Sequence, residues 1–456
     1  MQQRTTARPE RRRKTLIVGL GETGLSCARF LAGRGVASAI TDDRKSPPGL
    51  DRLRQELPDT ALFLECFDPA VFEAAERLVV SPGVSVQEPL IQAALQRGVP
   101  VLGDIELFVK AARAPVVAIT GSNGKSTVTS LLGEMAKHSG IRVRVGGNLG
   151  LPALDLLDDE AELYILELSS FQLETTHSLT ARASVVLNLS PDHLDRYPDL
   201  DAYVAAKAKV YQGAALGVFN RDDPRVMKLA GMADDALFFG TSEPENERSF
   251  GLREQAGEAW MCRGDSPLAP VSELLLPGRH NISNALAALA LGHGIGLSEP
   301  AMREALRCFP GLPHRTQFVA EHQGVRWYND SKGTNPGATL AALEGLHDPQ
   351  SDARTVLIAG GDAKGADFSV LADVVERSVR SLILLGADAP RLAQALQGRV
   401  PMLEAADMPE AVALAAGQAR PGDRVLLSPA CASFDMYRNY EQRGEHFMVT
   451  VREWLR

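Results

Sequence analysis

The sequence predicts an α/β protein of several domains. Short apolar runs alternate with longer helical patterns from end to end, the pattern of parallel sheets flanked by helices. The chain has 456 residues, more than one hydrophobic core organises, which suits two to four domains. Its 45% hydrophobic and 23% charged residues are those of a globular protein.

The alternation runs in three series. The first holds "TLIVGL", the helical "LSCARFLAGRG", "VASAITDD" and "RLVVSPG". The second holds "PVVAITG", "LYILELSS" and "ASVVLNLS", and the third "TVLIAGGD", "SLILLGAD" and "DRVLLSPA". Parallel strands covered on both faces read as continuous apolar runs, as these do. Composition shifts near 103–115 and at 308–315, where Pro310-Gly311-Leu312-Pro313 breaks a helical pattern, mark two boundaries. The polar stretch 240–278 predicts a small strand-containing insertion, and no fixed-period repeat occurs.

The formal net charge of −9 argues against nucleic acid as a partner, since an acidic chain meets polyanions only at local basic sites. Cys27, Cys66, Cys262, Cys308 and Cys431 are scattered and form no C-x-x-C pair. That usage predicts a reducing, cytoplasmic location and no structural zinc. The basic run "RPERRRK" is followed by an apolar run that breaks at Gly21-Glu22-Thr23, too short for a signal peptide. No apolar segment is long enough to predict a membrane span, and the basic run reads as a solvated arm.

In the first series Gly19-Leu20-Gly21-Glu22-Thr23-Gly24 fits G-x-G-x-x-G between strand and helix, with Asp42 and Asp43 about 20 residues on. The glycines let a pyrophosphate approach the helix N-terminus, where free N–H groups and the dipole favour anions. NAD is the default ligand of such a turn, and a UDP-linked ligand places a pyrophosphate there equally well. "SPGV" (81–84) after a later strand offers a second backbone loop.

The second series carries "AITGSNGKST" (118–127). It ends as a phosphate loop does, but Ile119 stands where G-x-x-x-x-G-K-[ST] has glycine. Gly121 and Gly124 still let backbone N–H groups converge, Lys125 can reach β- and γ-phosphates, and Ser126 or Thr127 can hold Mg²⁺. Glu167 lies in the apolar strand "LYILELSS", where a carboxylate is costly unless paired or metal-bound. "SPDHLDRY" sets Asp192, His193 and Asp195 at a strand's carboxyl end, where α/β sheets place ligands. "DAYVAAKAKVY" (201–211) predicts a helix with Tyr203, Ala206 and Val210 on one stripe; Lys207 falls on that stripe and Lys209 off it. Helix geometry alone makes Lys207 a snorkelling lysine.

Taken with "GGNLGLPAL", "LELSSFQLE", "HNISNALAALAL", "GLPHR", "NDSKGTN", "GGDAKGADFS" and "LSPACASFDMYRNYEQRG", these motifs resemble the Mur ligases over the whole chain beyond about residue 14. The shortened "TGSNGKST" is that family's own form of the loop. The resemblance implies three domains: a Rossmann-like N-terminal domain (1–103), a central P-loop-type ATPase domain (104–311) and a Rossmann-like C-terminal domain (312–456). It implies ATP-dependent addition of D-glutamate to UDP-N-acetylmuramoyl-L-alanine by a monomer; the alternative is a sister Mur-type or folylpolyglutamate-type ligase using another amino acid.

The resemblance also assigns residues. Gly21, Glu22, Thr23, Asp42, Asp43, Arg44, Ser81, Pro82, Gly83 and Asn148 are implied to hold the UDP substrate; Asp43 departs from the family pattern, where threonine is expected. Gly121, Ser122, Asn123, Gly124, Lys125, Ser126, Thr127, Asn281, Asn284, Arg315 and Asp330 are implied to bind ATP. Two Mg²⁺ are implied, one on Ser126 and Glu167 and a second that His193 helps to hold, with Lys207 as a CO₂-derived carbamate a further metal ligand. Lys125, Glu167, His193 and Lys207 form the implied catalytic set. Lys332, Thr334, Lys364, Ser433, Phe434 and Tyr440 are implied to surround the glutamate.

Overall fold

A computed structural model describes residues 14–193, 196–276, 278–347 and 351–455. The basic arm up to residue 13 and Asp195 lie outside the described residues. The described strands form three sheets, as the three series predicted.

The first sheet is parallel, in the order Ala61–Phe63, Ser38–Thr41, Thr15–Val18, Arg77–Val80, Val101–Leu102. Its first strand runs into the glycine turn and the helix Glu22–Gly33. Gly24 is needed for close packing there, because a Cβ would sit 2.0 Å from the Gly19 carbonyl oxygen.

The second sheet has nine strands. Val143–Gly147, Leu163–Glu167, Val116–Thr120, Ala183–Val186, Gly217–Asn220, Ala236–Phe239 and Ser249–Gln255 run parallel in that order. Glu258–Arg263 and Ser266–Pro270 then extend it as an antiparallel meander. The polar stretch 240–278 thus contains strands, as expected, and they form the edge of the central sheet; their buried residues cluster at Ser249–Gly251, Met261–Cys262 and Ala269–Pro270 rather than filling the strands.

The third sheet follows the order Gln317–His322, Val325–Asn329, Arg424–Leu427, Thr355–Ala359, Val379–Leu384, Met402–Glu404, parallel except for its first pair.

One apolar cluster is continuous from Ile17 and Leu25 of the first sheet, through Ile105 and Phe108, to Tyr164 and Leu166 of the second. The helix Asp104–Ala111 that joins the two sheets is therefore inside a shared core. The third sheet has two clusters of its own, one around Leu343 and Leu382, the other around Trp327 and Phe447. The helix expected over 201–211 runs over Leu200–Ala208 and tightens into a 3₁₀ turn at Lys209–Tyr211. Tyr211 anchors that turn, its hydroxyl accepting from Val186 N–H and donating to the Val218 carbonyl.

Candidate functional site

The phosphate loop leaves the strand Val116–Thr120 of the second sheet, between the strands that end in Glu167 and Val186. Backbone geometry demands its glycines. Gly124 has φ of 83° and caps the helix Lys125–His138, and a Cβ on it would meet Asn284 Oδ1 at 2.3 Å. Gly121 has φ of 148° and packs on Leu187. Asn188, which the sequence reading passed over, pins the loop: its Oδ1 accepts from Asn123 N–H at 2.8 Å and its Nδ2 donates to the Asn123 carbonyl at 3.0 Å. Its signal was a polar residue ending the apolar run "ASVVLN". Lys125 Nζ folds back on the carbonyls of Gly121 and Ser122, both at 3.0 Å.

Lys207 does not snorkel. It is 2% exposed, and its Nζ donates to the Gly121 carbonyl at 2.8 Å. Burial and then the nearby Lys125 charge push its pKa well below the usual lysine value. Its helix is held by Asp199, whose side chain accepts from Ala202 N–H, and by Tyr203, whose hydroxyl lies 3.1 Å from Ser122 Oγ.

Glu167 is buried beside the same loop. Its Oε1 accepts from Asn148 Nδ2 at 2.8 Å, and its Oε2 is buried with no hydrogen-bond partner. Burial would raise its pKa, but the Lys125 charge and nearby polar groups outweigh that and hold it below the usual range. A buried carboxylate oxygen left unpartnered beside a phosphate loop fits a cation ligand. His193, with φ of 56°, has a partly exposed imidazole edge-on to Phe171. Among the described residues, no group of three or more His, Cys, Asp and Glu gathers that could hold a metal ion alone. A Mg²⁺ here would need oxygens from a phosphate or from a modified Lys207.

A cleft of about 360 Å³ opens from the loop toward the third sheet. Asn123, Gly124, Thr127, Asn281, Asn284, Arg315, Asp330 and Lys332 line it. Arg315 Nη2 donates to Ser126 Oγ at 2.7 Å, joining the third sheet's domain to the loop. Asp330 is occupied by its own domain: Oδ1 accepts from Thr316 N–H and Oδ2 from Ser428 Oγ, and burial raises its pKa to about 6.

A second cleft, of about 600 Å³, brings together every residue assigned to the UDP substrate: Gly21, Glu22, Thr23, Asp42, Asp43, Arg44, Ser81, Pro82, Gly83 and Asn148. Asp42, however, is 1% exposed, and its carboxylate is used within the turn. Oδ2 accepts from Leu20 N–H at 2.7 Å, while Oδ1 accepts from Arg44 N–H at 3.0 Å and Arg44 Nε at 2.8 Å. Arg44 and these N–H groups hold its pKa down against burial. A carboxylate so occupied does not offer the free acceptor that a nicotinamide dinucleotide's ribose requires.

The residues assigned to glutamate form two pairs. Lys332 Nζ lies 3.8 Å from the Tyr440 ring centroid, and burial followed by the Arg315 charge lowers its pKa to about 8. Lys364 Nζ lies 5.0 Å from the ring centroid of the exposed Phe434. The Asp362–Ala432 bridge holds their two loops together, with Ser433 buried behind. Thr334 follows Lys332, its N–H returning to the Lys332 carbonyl.

Family models agree with this layout. The Mur ligase MurD-like N-terminal domain matches residues 13–103, the Mur ligase middle domain 119–292, and the Mur ligase glutamate ligase domain 314–431. The UDP-N-acetylmuramoylalanine–D-glutamate ligase of Nitrosococcus oceani is 55% identical over 442 residues, covering 97% of each chain. That of Marinobacter nauticus is 53% identical over 439 residues, covering 96% of this chain and 98% of its own. Among solved structures, the UDP-N-acetylmuramate–alanine ligase of Thermotoga maritima superposes with a TM-score of 0.61 at 17% identity, covering 97% of this chain and 100% of its own. MurF of Acinetobacter baumannii gives a TM-score of 0.61 at 16% identity, covering 96% and 90%; both show the shared fold. With three matching domains in order and relatives identical at more than half of their positions, this chain belongs to the Mur ligase family.

Proposed function

We infer that the chain is an ATP-dependent ligase that joins D-glutamate to UDP-N-acetylmuramoyl-L-alanine in peptidoglycan precursor synthesis. One contact carries the reading: Asn148, in the cleft assigned to the UDP substrate, is hydrogen-bonded to Glu167 beside the phosphate loop. A nucleotide-linked acid in one cleft thus points its far end at a phosphate in the other. The choice of D-glutamate is supported by the two relatives above, each named for that amino acid. The domain limits 1–103, 104–311 and 312–456 and a cytoplasmic site of action belong to the same reading.

A carboxylate is a poor acyl donor because oxide would have to leave. In the proposed reaction the substrate carboxylate attacks the ATP γ-phosphorus, ADP leaves, and an acyl phosphate forms. The glutamate amine then attacks the carbonyl, and phosphate departs from the tetrahedral intermediate. Lys125 and the loop N–H groups hold the transferring phosphoryl and offset repulsion between two anions. Glu167 and Ser126 would hold one Mg²⁺ and His193 would help hold a second, which supply further charge neutralisation. Lys207, buried and with a depressed pKa, gives up its proton more readily than an exposed lysine, and its neutral amine could take up CO₂; the carbamate would turn an awkward cation into an anionic oxygen ligand. Lys332 and Lys364 would meet the glutamate carboxylates.

The test is phosphate release with UDP-N-acetylmuramoyl-L-alanine, ATP and a panel of D- and L-amino acids. D-glutamate alone should give sustained turnover. Turnover with another amino acid and none with D-glutamate would move the protein to a sister ligase.

A further inference from the structure

Arg196 belongs to the segment "DHLDRY" but has no role above. Its backbone N–H donates to the His193 carbonyl at 3.0 Å. Its guanidinium crosses into the N-terminal domain, where Nη1 donates to the Pro82 carbonyl at 2.7 Å and Nη2 to the Val84 carbonyl at 3.1 Å. Both carbonyls belong to the turn that lines the nucleotide cleft. Nη2 also meets Glu174 Oε2 at 2.8 Å, and each side chain is only 12% exposed. The guanidinium carbon lies 4.0 Å from the Phe171 ring centroid, and that ring meets the His193 imidazole at 4.8 Å.

One side chain therefore joins the turn of one cleft to the His193 loop, whose Ser190 lines the other cleft. A planar fork of donors can serve two carbonyls and a carboxylate while stacking on a ring; a lysine ammonium cannot do all of this. Most arginines at a surface are solvated instead, with one exposed partner.

We infer that Arg196 is a positioning residue that locks the Ser81–Val84 turn to the His193 loop, so that a UDP-linked substrate seated in the N-terminal cleft presents its carboxylate in register with the phosphate loop. This rests on the ligase reading above. Transfer between bound groups is steep in distance, and an error of about 1 Å can lower the rate on the order of 100-fold.

The experiment uses full-length Arg196→Lys and Arg196→Ala, the lysine variant keeping the charge in case the alanine variant folds poorly. Phosphate release gives KM for each substrate, and hydrogen exchange reports on the amides of Gly83, Val84 and Ser85 against those of the phosphate loop. The lysine variant should raise KM for UDP-N-acetylmuramoyl-L-alanine about tenfold, leave KM for ATP within about twofold, and lower kcat by about 10- to 100-fold. The 83–85 amides should exchange about tenfold faster while the phosphate loop is unchanged. Equal shifts in both KM values, or unaltered exchange at 83–85, would overturn the lock. If wild-type enzyme turns over a different substrate pair, the ligase assignment falls, and the exchange comparison still decides whether Arg196 holds the turn.

Discussion

At the scale of single residues, burial decides chemistry. Lys207 and Lys209 are two positions apart, yet Lys207 is enclosed beside the phosphate loop while Lys209 is half-buried and donates to the Glu174 carbonyl at 2.8 Å. Lys207→Ala should reduce phosphate release by at least about 1000-fold, whereas Lys209→Ala loses one hydrogen bond, about 1 kcal/mol of stability, and stays within about threefold in activity. A carbamate needs the neutral amine, so activity in CO₂-depleted buffer should fall as pH is lowered and return on adding bicarbonate. Full activity of Lys207→Ala would remove Lys207 from the reaction. Helical spacing alone put Lys207 on the apolar stripe, and the resemblance gave it a role; neither showed the Gly121 carbonyl against its amine. Asp42 shows the reverse: its position about 20 residues after the glycines was legible, but its use inside its own turn was not.

At the scale of elements, the phosphate loop was readable because all of its parts are adjacent in sequence: an apolar strand, two glycines, a lysine and a helix. Part of what demands glycine at 124 comes from elsewhere in the chain. Gly124 takes a left-handed φ of 83° and lies against Asn284, on the helix Arg279–Gly294. Gly124→Ala should cost about 1–2 kcal/mol of backbone strain and displace the Asn284 amide from the cleft proposed to hold ATP. Calorimetric titration should show ATP binding weakened by more than about tenfold, with UDP-substrate binding unchanged within about twofold. The stretch 240–278 was legible as strand-containing, but its place at the edge of the central sheet was not, because strand pairing joins residues far apart in sequence.

At the scale of the whole molecule, the N-terminal and central domains share one apolar core, while the C-terminal domain has its own. The joint between the first two is the helix Asp104–Ala111, and its first residue is a buried acid. Asp104 Oδ2 accepts from Gln172 Nε2 at 2.9 Å, Gln172 lines the cleft proposed for the UDP substrate, and Asp104 Oδ1 has no hydrogen-bond partner. Burial, only partly offset by Gln172 and backbone N–H groups, raises its pKa from 3.8 to about 6. The folded state then holds a proton that the unfolded state has released, so this group lowers stability as pH rises from about 4 to about 6, and the penalty stays constant above. Asp104→Asn keeps an acceptor for Gln172 and removes the titration. Urea unfolding should find it about 1–3 kcal/mol more stable than wild type at pH 7.5 and close to wild type at pH 4.5. A variant less stable at pH 7.5 would mean that the ionised form is what holds the joint.

The α/β class, the three strand–helix series, the glycine turn and the phosphate loop were legible in the sequence. These depend on residues close together in the chain, whose periodicity and backbone freedom act locally. The burial of Lys207, the use of Asp42 by Leu20 and Arg44, the Asn148–Glu167 contact and the reach of Arg196 to Pro82 were decided only by the tertiary structure. Each depends on groups brought together by packing, and desolvation and hydrogen-bond partnership have no local signature in sequence.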